Sequence, residues 1–233
     1  MLTQRTLAFV ACVWTLSSCV PRPAETPAPV PPRATAGVAV PAGAERLEID
    51  PRRSAVTVLV RRAGPLARFG HNHAIVSSHE SGFAWVGRDL AGSGFEIRMA
   101  VKDFVVDDPS VRAAAGPDFS GEVAGDARQG TYANMLREEV LDAARYPEIV
   151  VSASSLAGTW ERPTAAARLT LRGVTREIEL PIQLRREPGT VAASGTLRLR
   201  QTDLGMTPFS VAGGAVQVAD EVEIRFEVVA VRR

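Results

Sequence analysis

The feature that most limits the fold of this chain is an alternation of apolar and polar residues that recurs from residue 45 onward. In a β-strand successive side chains point to opposite faces, so a segment with this pattern predicts a strand with one buried and one hydrated face. The pattern is clearest in residues 95–102, 168–172, 177–184, 197–200 and 221–228. Further strands are predicted at residues 55–62, 71–77, 82–86 and 148–156.

Roughly eight to ten such strands, separated by Gly, Pro and Asp, predict an all-β fold that is either a sandwich or a closed barrel. Residues 131–144 are the exception, because their apolar residues fall at helical spacing and Pro147 follows them. We expect one amphipathic helix there, capping the barrel. The alternation alone does not decide what occupies the interior, because a barrel of about eight strands either fills itself with side chains or holds one small ligand.

The N-terminal residues 1–19 have the composition of an export signal. Arg5 has no acidic residue near it, and the apolar run of residues 7–16 is too short for a permanent membrane span. Residues 16–19, Leu-Ser-Ser-Cys, resemble the lipobox of bacterial lipoproteins, in which the signal is cut before the cysteine and the cysteine is acylated. The resemblance implies lipidation of Cys19, and the alternative is an ordinary signal peptide with a chance cysteine. Because Cys12 would leave with the signal, no disulfide framework is expected.

Residues 20–44 are rich in proline and lack apolar periodicity, which is typical of an extended, semi-rigid linker. At about 3 Å per residue, such a linker reaches on the order of 70 Å. The predicted organisation is a lipoprotein signal peptide with a lipidated cysteine in residues 1–19, a linker in residues 20–44 and one β-domain in residues 45–233. We expect an exported, periplasmic lipoprotein. Val20, in place of the Asp that favours inner-membrane retention, indicates the outer membrane.

The charge balance and the absence of known catalytic motifs argue against two classes of function, nucleic-acid binding and catalysis. The 27 Lys and Arg residues nearly balance the 26 Asp and Glu residues, so a basic nucleic-acid-binding surface is not expected. The sequence has no Gly-x-Ser-x-Gly elbow, phosphate-binding Gly loop, Cys-x-x-Cys pair or His-Glu-x-x-His helix, so no catalytic residue is assigned and we do not expect an enzyme. The adjacent carboxylates Asp107-Asp108 and Glu138-Glu139 do not face each other and are predicted to lie on the solvated surface.

All three histidines, His71, His73 and His79, lie within nine residues. On a strand His71 and His73 point the same way, because alternate residues share a face. Two imidazoles at this spacing bind metal when further ligands join them, so one hypothesis is a metal or haem site formed by the three histidines. The alternatives are a hydrogen-bonded polar cluster at a barrel mouth and a general base.

Three segments together carry a resemblance to a known family. Residues 169–180 form a strand pattern, an Arg-Gly-Val-Thr turn and a return strand, and residues 141–149 contain a Tyr-Pro step before another strand. Residues 202–206, Thr-Asp-Leu-Gly-Met, lead to the last strand through residues 220–222. In order and spacing these segments resemble the YceI-like, polyisoprenoid-binding family of secreted bacterial proteins. The lipobox, the histidine segment and the Ala- and Gly-rich residues 111–130 depart from the usual family pattern.

The resemblance implies an extended, lipocalin-like antiparallel β-barrel of about eight strands with one or two short helices. It also implies an isoprenoid chain, such as a quinone tail or a polyprenyl lipid, in the lumen, and no cofactor other than that lipid. On this interpretation His71 and His73 lie near a mouth and contact a polar head group. The apolar residues predicted to line the lumen are Phe95, Ile97, Met99, Val101, Leu169, Leu171, Ile178, Leu180, Ile182, Leu197, Leu199, Ile224 and Phe226.

The leading hypothesis is therefore a membrane-anchored protein that binds or carries a polyisoprenoid, a quinone-like compound or another amphiphilic lipid. Its partners would be that lipid and the membrane that holds the anchor, with no nucleic acid. The alternative is a metal- or haem-binding protein that uses His71, His73 and His79. A third hypothesis is a structural module that binds a partner protein through its outer face. The oligomeric state stays open, a homodimer included.

Overall fold

The computed structural model describes residues 38–233, so the predicted signal peptide, Cys19 and most of the linker lie outside the described residues. The strands are β1 (Glu45–Ile49), β2 (Ala55–Ala63), β3 (His73–Ser77), β4 (Ser81–Val86), β5 (Gly94–Ala100), β6 (Val105–Val106), β7 (Glu148–Ala153), β8 (Leu156–Gly158), β9 (Pro163–Leu171), β10 (Val174–Pro181), β11 (Gln183–Glu187), β12 (Thr190–Arg200), β13 (Ser210–Val211) and β14 (Val216–Val231). The α-helices are α1 (Pro109–Ala115) and α2 (Gly125–Met135). The all-β prediction is confirmed.

The strand pairs form a closed circuit. β1 pairs with β4, and the sheet continues through β5, β7 and β9 to β10. β11 then pairs with β12, β12 with β14, and β14 with β1. β10 and β11 are two parts of one strand, because the amide of Ile182 between them still donates to the Pro163 carbonyl of the neighbouring strand (2.9 Å). Every pair is antiparallel, so the fold is the expected lipocalin-like antiparallel barrel.

One side of the wall is built in two parts. The end of β14 pairs with β1, while residues 217–227 of the same strand pair with β2, which continues the sheet to β3 and β6. A register shift between Val218 and Val222, within the pairing with β2, marks an irregularity in the ladder of β14. Apolar side chains of β2, β3 and β6 pack with Met99 and with Met135 of α2 in one core cluster. These strands and α2 therefore complete one end of the barrel, which we call the helix end.

The opposite end contains the largest fully buried side chain, Trp85 on β4. Its cross-strand partner on β5 is Gly94, and a Cβ atom at this glycine would overlap both the Trp85 ring and the Ala153 carbonyl of β7. The absence of a side chain at Gly94 thus lets the indole lie against the sheet. Trp85 is consequently held inside the barrel.

The helix prediction for residues 131–144 is only partly right. α2 starts earlier, at Gly125, and ends at Met135, and residues 136–144 continue as successive turns. In these turns the amides of Leu141 and Ala143 donate to the Met135 and Leu136 carbonyls, which satisfies the helix terminus without further helix. Successive turns, like a helix, bring residues three or four apart to the same side of the chain. The apolar spacing of residues 131–144 therefore did not distinguish a helix from a series of turns. No helix in residues 38–233 combines the length and apolar character needed to span a membrane.

Candidate functional site

The barrel encloses a cavity of about 340 Å³ with an almost entirely apolar lining. A volume of this size lies at the lower end of the range for small-molecule sites. Most residues that the alternation predicted to face the lumen border it. These are Phe95, Ile97, Met99, Leu169, Leu171, Ile178, Leu180, Ile182, Leu197, Leu199, Ile224 and Phe226, together with His73.

Two of the predicted ligand-binding residues, Val101 of the lumen and His71 near the mouth, do not border the cavity. β5 ends at Ala100, and a 3₁₀ turn over Val101–Asp103 takes Val101 out of the alternation. Val101 is buried elsewhere, with its amide donating to the Pro147 carbonyl (2.8 Å). His71 is exposed and precedes β3, which begins at His73. The predicted alternation therefore extended past the strand ends at both positions.

Polar groups on the cavity wall are few and lie near its ends. At the helix end the wall includes His73, Thr131, Asn134 and Gln201, and Ser93 lies with Trp85 at the other end. Within residues 38–233, no Lys, Arg, Asp or Glu side chain borders the cavity. A charged ligand group inside would therefore lie in a low dielectric without a counter-ion, at a large cost in free energy. The wall favours an uncharged ligand.

His73 is held in place by a buried carboxylate. Its ring Nδ1 lies 2.6 Å from Oδ2 of Asp107, a residue that is only 1% exposed. The other carboxylate oxygen accepts hydrogen bonds from the Ala74 amide (2.9 Å) and from Nη1 of Arg112 (2.6 Å). We assign the proton between the two side chains to Nδ1, because Asp107 is an acceptor in each of its other bonds. Nε2 of His73 is then the ring nitrogen left for a ligand.

Asp107 keeps its negative charge because of these bonds. Burial alone would raise the pKa of Asp107, but hydrogen bonds from His73, the Ala74 amide and Arg112 outweigh burial and hold that pKa below its usual value. The backbone φ of Asp107 is +55°, in the left-handed region that residues other than glycine rarely adopt. The hydrogen bonds thus fix both the ionisation and the backbone conformation of this residue.

Arg112 of α1 completes the network, and each of its three side-chain nitrogens is already engaged in a hydrogen bond. Its Nη1 donates to the Asn72 carbonyl (2.6 Å) as well as to Asp107, and its Nε and Nη2 both donate to the Gly121 carbonyl (3.1 and 2.8 Å). The side chain is 7% exposed and does not border the cavity. Arg112 therefore acts as the structural counter-ion of Asp107.

The three histidines do not form a multi-ligand metal centre. The rings of His71 and His73 are 6.5 Å apart between centroids, and Nδ1 of His73 already bonds Asp107. His79 lies beyond the end of β3, in an exposed turn. In the part of the chain that the structure describes, no group of three His, Cys, Asp or Glu side chains is arranged to hold a metal ion. The hypothesis of a site shared by His71, His73 and His79 has no geometric support.

Sequence reasoning missed three residues of this region. It placed Asp107 on the solvated surface, which is wrong because both Asp107 and Arg112 are buried. It also did not single out Trp85, which is 1% exposed, borders the cavity and finds no hydrogen-bond partner for its Nε1 among residues 38–233. No local pattern signals the pair of Asp107 and Arg112, because a turn and a helix bring it together.

Comparison with known proteins agrees with this fold. The family model described as the YceI-like domain matches residues 47–230. The chain belongs to this family. The structure of BcnA from Burkholderia cenocepacia is similar, with a TM-score of 0.57 and 17% identity over 78% of this chain and 99% of that one. A polyisoprenoid binding domain from Saccharophagus degradans, described as implicated in plant cell wall breakdown, gives a TM-score of 0.54 and 12% identity over 80% of this chain and 98% of that domain. No curated protein matches the chain significantly.

The segments that carried the YceI-like resemblance supply turns of the barrel and also part of the cavity wall, including Leu169, Leu180 and Met206. Arg172 and Gly173 form the turn between β9 and β10, both with positive φ. A Cβ atom at Gly173 would lie 2.7 Å from the ring of Tyr146, so the Tyr-Pro step packs directly on this turn. Asp220 accepts hydrogen bonds from the amide (2.9 Å) and hydroxyl (2.7 Å) of Thr202. These motifs therefore predict the fold and do not by themselves predict the ligand.

Proposed function

We propose that this YceI-like chain binds or carries an uncharged amphiphilic lipid, of the polyisoprenoid or quinone type, in the barrel cavity. The observation that carries the proposal is the apolar cavity of about 340 Å³, which no charged side chain of residues 38–233 borders. The structurally similar domain from Saccharophagus degradans is described as polyisoprenoid binding. Burial of apolar ligand surface at about 25 cal/mol per Å² drives association, offset by the cost of immobilising the ligand.

His73 gives the proposed site its polar contact. It borders the helix end of the cavity, and its Nε2 is free because Nδ1 is engaged by Asp107. A phenol, quinol or prenol hydroxyl pairs with an imidazole nitrogen without needing a counter-ion. At the other end of the wall the indole N–H of Trp85 is a donor, whereas Nε2 of His73 is an acceptor. The proposed ligand is therefore a mostly apolar chain with a neutral oxygen-containing head group.

We propose a binding role and assign no catalytic residue. We further propose that the protein is exported to the periplasm and tethered through a lipidated Cys19, in the outer membrane. The lipobox-like residues 16–19 and the Pro-rich residues 20–44 support this location. In this arrangement the linker lets the barrel exchange ligand with the membrane that holds it.

The direct test is native mass spectrometry of the full chain, expressed with its own signal and purified in detergent, followed by organic extraction. We expect one neutral isoprenoid or quinone per chain. A stoichiometric prenyl phosphate would overturn the assignment of a neutral head group. Recovery of metal instead of lipid would favour the histidine hypothesis, and a chain without any associated lipid would contradict the carrier function. The mass of processed Cys19 tests the anchor in the same experiment.

Leu180→Arg should abolish lipid co-purification. Leu180 borders the cavity from β10, and an arginine there places an unpaired charge in the apolar interior. The measurement is extracted lipid per folded chain, with the β-type circular dichroism spectrum as the check on folding. Glu179→Arg is the matched control, because Glu179 is exposed on the same strand and should leave lipid content unchanged.

A second variant keeps this test decisive if Leu180→Arg does not fold. Ala193→Phe fills the cavity from β12 without adding charge, so it should also exclude lipid. Full lipid content in folded Ala193→Phe would mean that the ligand binds elsewhere.

His73→Leu should weaken binding of an isoprenoid alcohol such as farnesol by about 2- to 10-fold, the value of one hydrogen bond of about 0.5–1.5 kcal/mol. Binding of an isoprenoid hydrocarbon should not change, because it makes no such bond. Competitive displacement of a fluorescent lipid measures both affinities. His71→Leu is the control, since His71 does not border the cavity. Equal losses for alcohol and hydrocarbon would show that His73 acts only through packing.

A further inference from the structure

Large apolar side chains are exposed at four positions in residues 38–233, and three of these lie together. The exposed fractions are 66% for Phe69, 37% for Leu66, 45% for Val211 and 46% for Val105. Leu66 and Phe69 lie in the loop between β2 and β3, and Val211 lies in β13. Val105 lies apart from them, on β6. An exposed apolar cluster of this kind marks an interaction surface more often than isolated apolar residues do.

The two loops that carry this cluster form one surface, which we call the lip: residues 63–70 and 205–215. The Leu66 amide donates to the Ala215 carbonyl (2.8 Å). A Cβ atom at Gly64 would lie 2.7 Å from the same carbonyl oxygen, so the backbones of the two loops are in close contact. Val211 is joined to this contact through its pairing with Val216. The exposed side chains of the two loops are therefore close enough in the fold to contact one partner together.

The lip contains one charged residue, Arg68, and no acidic residue. The guanidinium carbon of Arg68 lies 4.5 Å from the centroid of the Phe69 ring, a cation–π arrangement. Behind it the exposed Arg62 donates to the Gly70 carbonyl (3.0 Å). An aromatic ring beside an arginine matches the boundary between acyl chains and anionic head groups. Apart from Arg68, the polar side chains of the lip are Thr207 and Ser210, fewer than the polar rim of a protein interface requires.

The lip is continuous with the ligand cavity. Met206 and Phe209 belong to the lip and also border the cavity, and His73 follows the lip by three residues and borders the same end. Any partner seated on the lip is thus next to the polar end of the cavity. For a protein that holds an apolar lipid, the partner that supplies or receives such a ligand is a bilayer.

We propose that the lip docks on a phospholipid bilayer, inserting Phe69, Leu66 and Val211 at the interface so that lipid passes between membrane and cavity. This inference rests on the proposed function. The sequence outside the structure fits the same partner, because a linker of residues 20–44 that reaches on the order of 70 Å from Cys19 keeps the barrel close to the membrane. In this arrangement the contact between the lip and the bilayer orients the barrel, while the lipid anchor only keeps the barrel near the membrane.

The test places a reporter on the lip and a matched reporter away from it. Phe69→Trp and Val105→Trp are made in the full chain, so that any N-terminal attachment is common to both. Each is mixed with phosphatidylethanolamine and phosphatidylglycerol vesicles with or without brominated acyl chains. After subtraction of the parent chain, we expect quenching of the Trp at position 69 to exceed that at position 105 by at least about three-fold, because bromine quenches only indoles that reach the acyl region. Equal quenching, or none at either position, would overturn docking through the lip.

A transfer measurement separates docking from ligand binding. The double variant Phe69→Ser/Val211→Ser should take up a fluorescent isoprenoid from vesicles about ten-fold more slowly than Val105→Ser, because buried apolar area at the membrane is lost. Its affinity for the same compound in detergent should not change. If no variant binds the compound in detergent while position 69 is still quenched, the proposed function fails and docking stands. Unchanged transfer would assign the lip to another role. The same conclusion would follow if the double variant lost a concentration-dependent dimer while vesicles quenched neither tryptophan.

Discussion

Replacing Asp107 by alanine should lower the free energy of unfolding by about 3–5 kcal/mol, the usual cost of removing one partner from a buried ion pair. The loss leaves Arg112 with a buried positive charge and removes the hydrogen bonds to His73 and the Ala74 amide. Urea denaturation of lipid-depleted protein measures the change, because bound lipid would add stability of its own. Asp108→Ala is the control: Asp108 is the half-buried N-cap of α1, and its loss should cost only about 1 kcal/mol.

The same carboxylate predicts how stability responds to acid. The pKa of Asp107 is lower in the folded chain than its ordinary value of 3.8. Its contribution is therefore complete above that ordinary value and is lost as the pH falls from there through the folded pKa. Asp107→Asn removes the charge and should flatten this part of the stability profile, while asparagine still tolerates the positive φ. An unchanged acid profile, or a loss below about 1 kcal/mol in Asp107→Ala, would show that the network contributes little to folding.

Part of the apolar cavity wall could be predicted from the sequence. The inward-facing residues of β5, β9, β10, β12 and β14 could be predicted, because the side-chain period of a strand is two and one face of each strand is the cavity wall. Val101 could not, because the strand ends one residue earlier in a turn that the alternation does not reveal. The error is one of element boundaries, and it moves a side chain from the cavity to another part of the core.

The polar part of the site was less accessible to prediction. The histidine spacing suggested metal, but the partner of His73 is Asp107, which lies between β6 and α1, beyond three further strands. Burial of Asp107 depends on Arg112, and that pairing exists only once α1 has packed against β3. Tertiary contacts therefore convert a sequence that resembles a surface carboxylate pair into one fully buried acid and one half-buried helix cap.

Glu80 is another buried carboxylate, and unlike Asp107 it forms no ion pair within residues 38–233. It is 1% exposed, and neither carboxylate oxygen has a hydrogen bond of normal geometry. Burial raises the pKa of Glu80 above its usual value of 4.5, and the nearby Ser77 hydroxyl, Val56 backbone and His79 offset only part of that rise. The hydroxyl of Ser77 is itself buried without a partner. The folded state therefore favours the protonated acid.

This raised pKa predicts a loss of stability as the pH increases. Below 4.5 both folded and unfolded chains carry the proton, so Glu80 has no effect on the pH dependence. As the pH rises from 4.5 through the higher folded pKa, the unfolded chain releases the proton first, and the free energy of unfolding falls. The loss is complete once the folded carboxyl has also ionised. Glu80 thus opposes the trend set by Asp107, whose contribution decreases toward low pH.

Glu80→Gln should remove this dependence and raise the free energy of unfolding at pH 8 by on the order of 1–3 kcal/mol, because an ionised carboxylate without a partner costs more to bury than a neutral amide of the same shape. The variant keeps the shape of the side chain but cannot ionise, so its advantage over the parent should shrink at low pH and disappear near pH 4. Urea denaturation across this range measures both features. Glu179→Gln, an exposed position on β10, should stay within about 0.5 kcal/mol of the parent at every pH. A constant difference between Glu80→Gln and the parent from pH 4 to pH 8 would mean that Glu80 does not titrate in this interval, and that its role is packing alone.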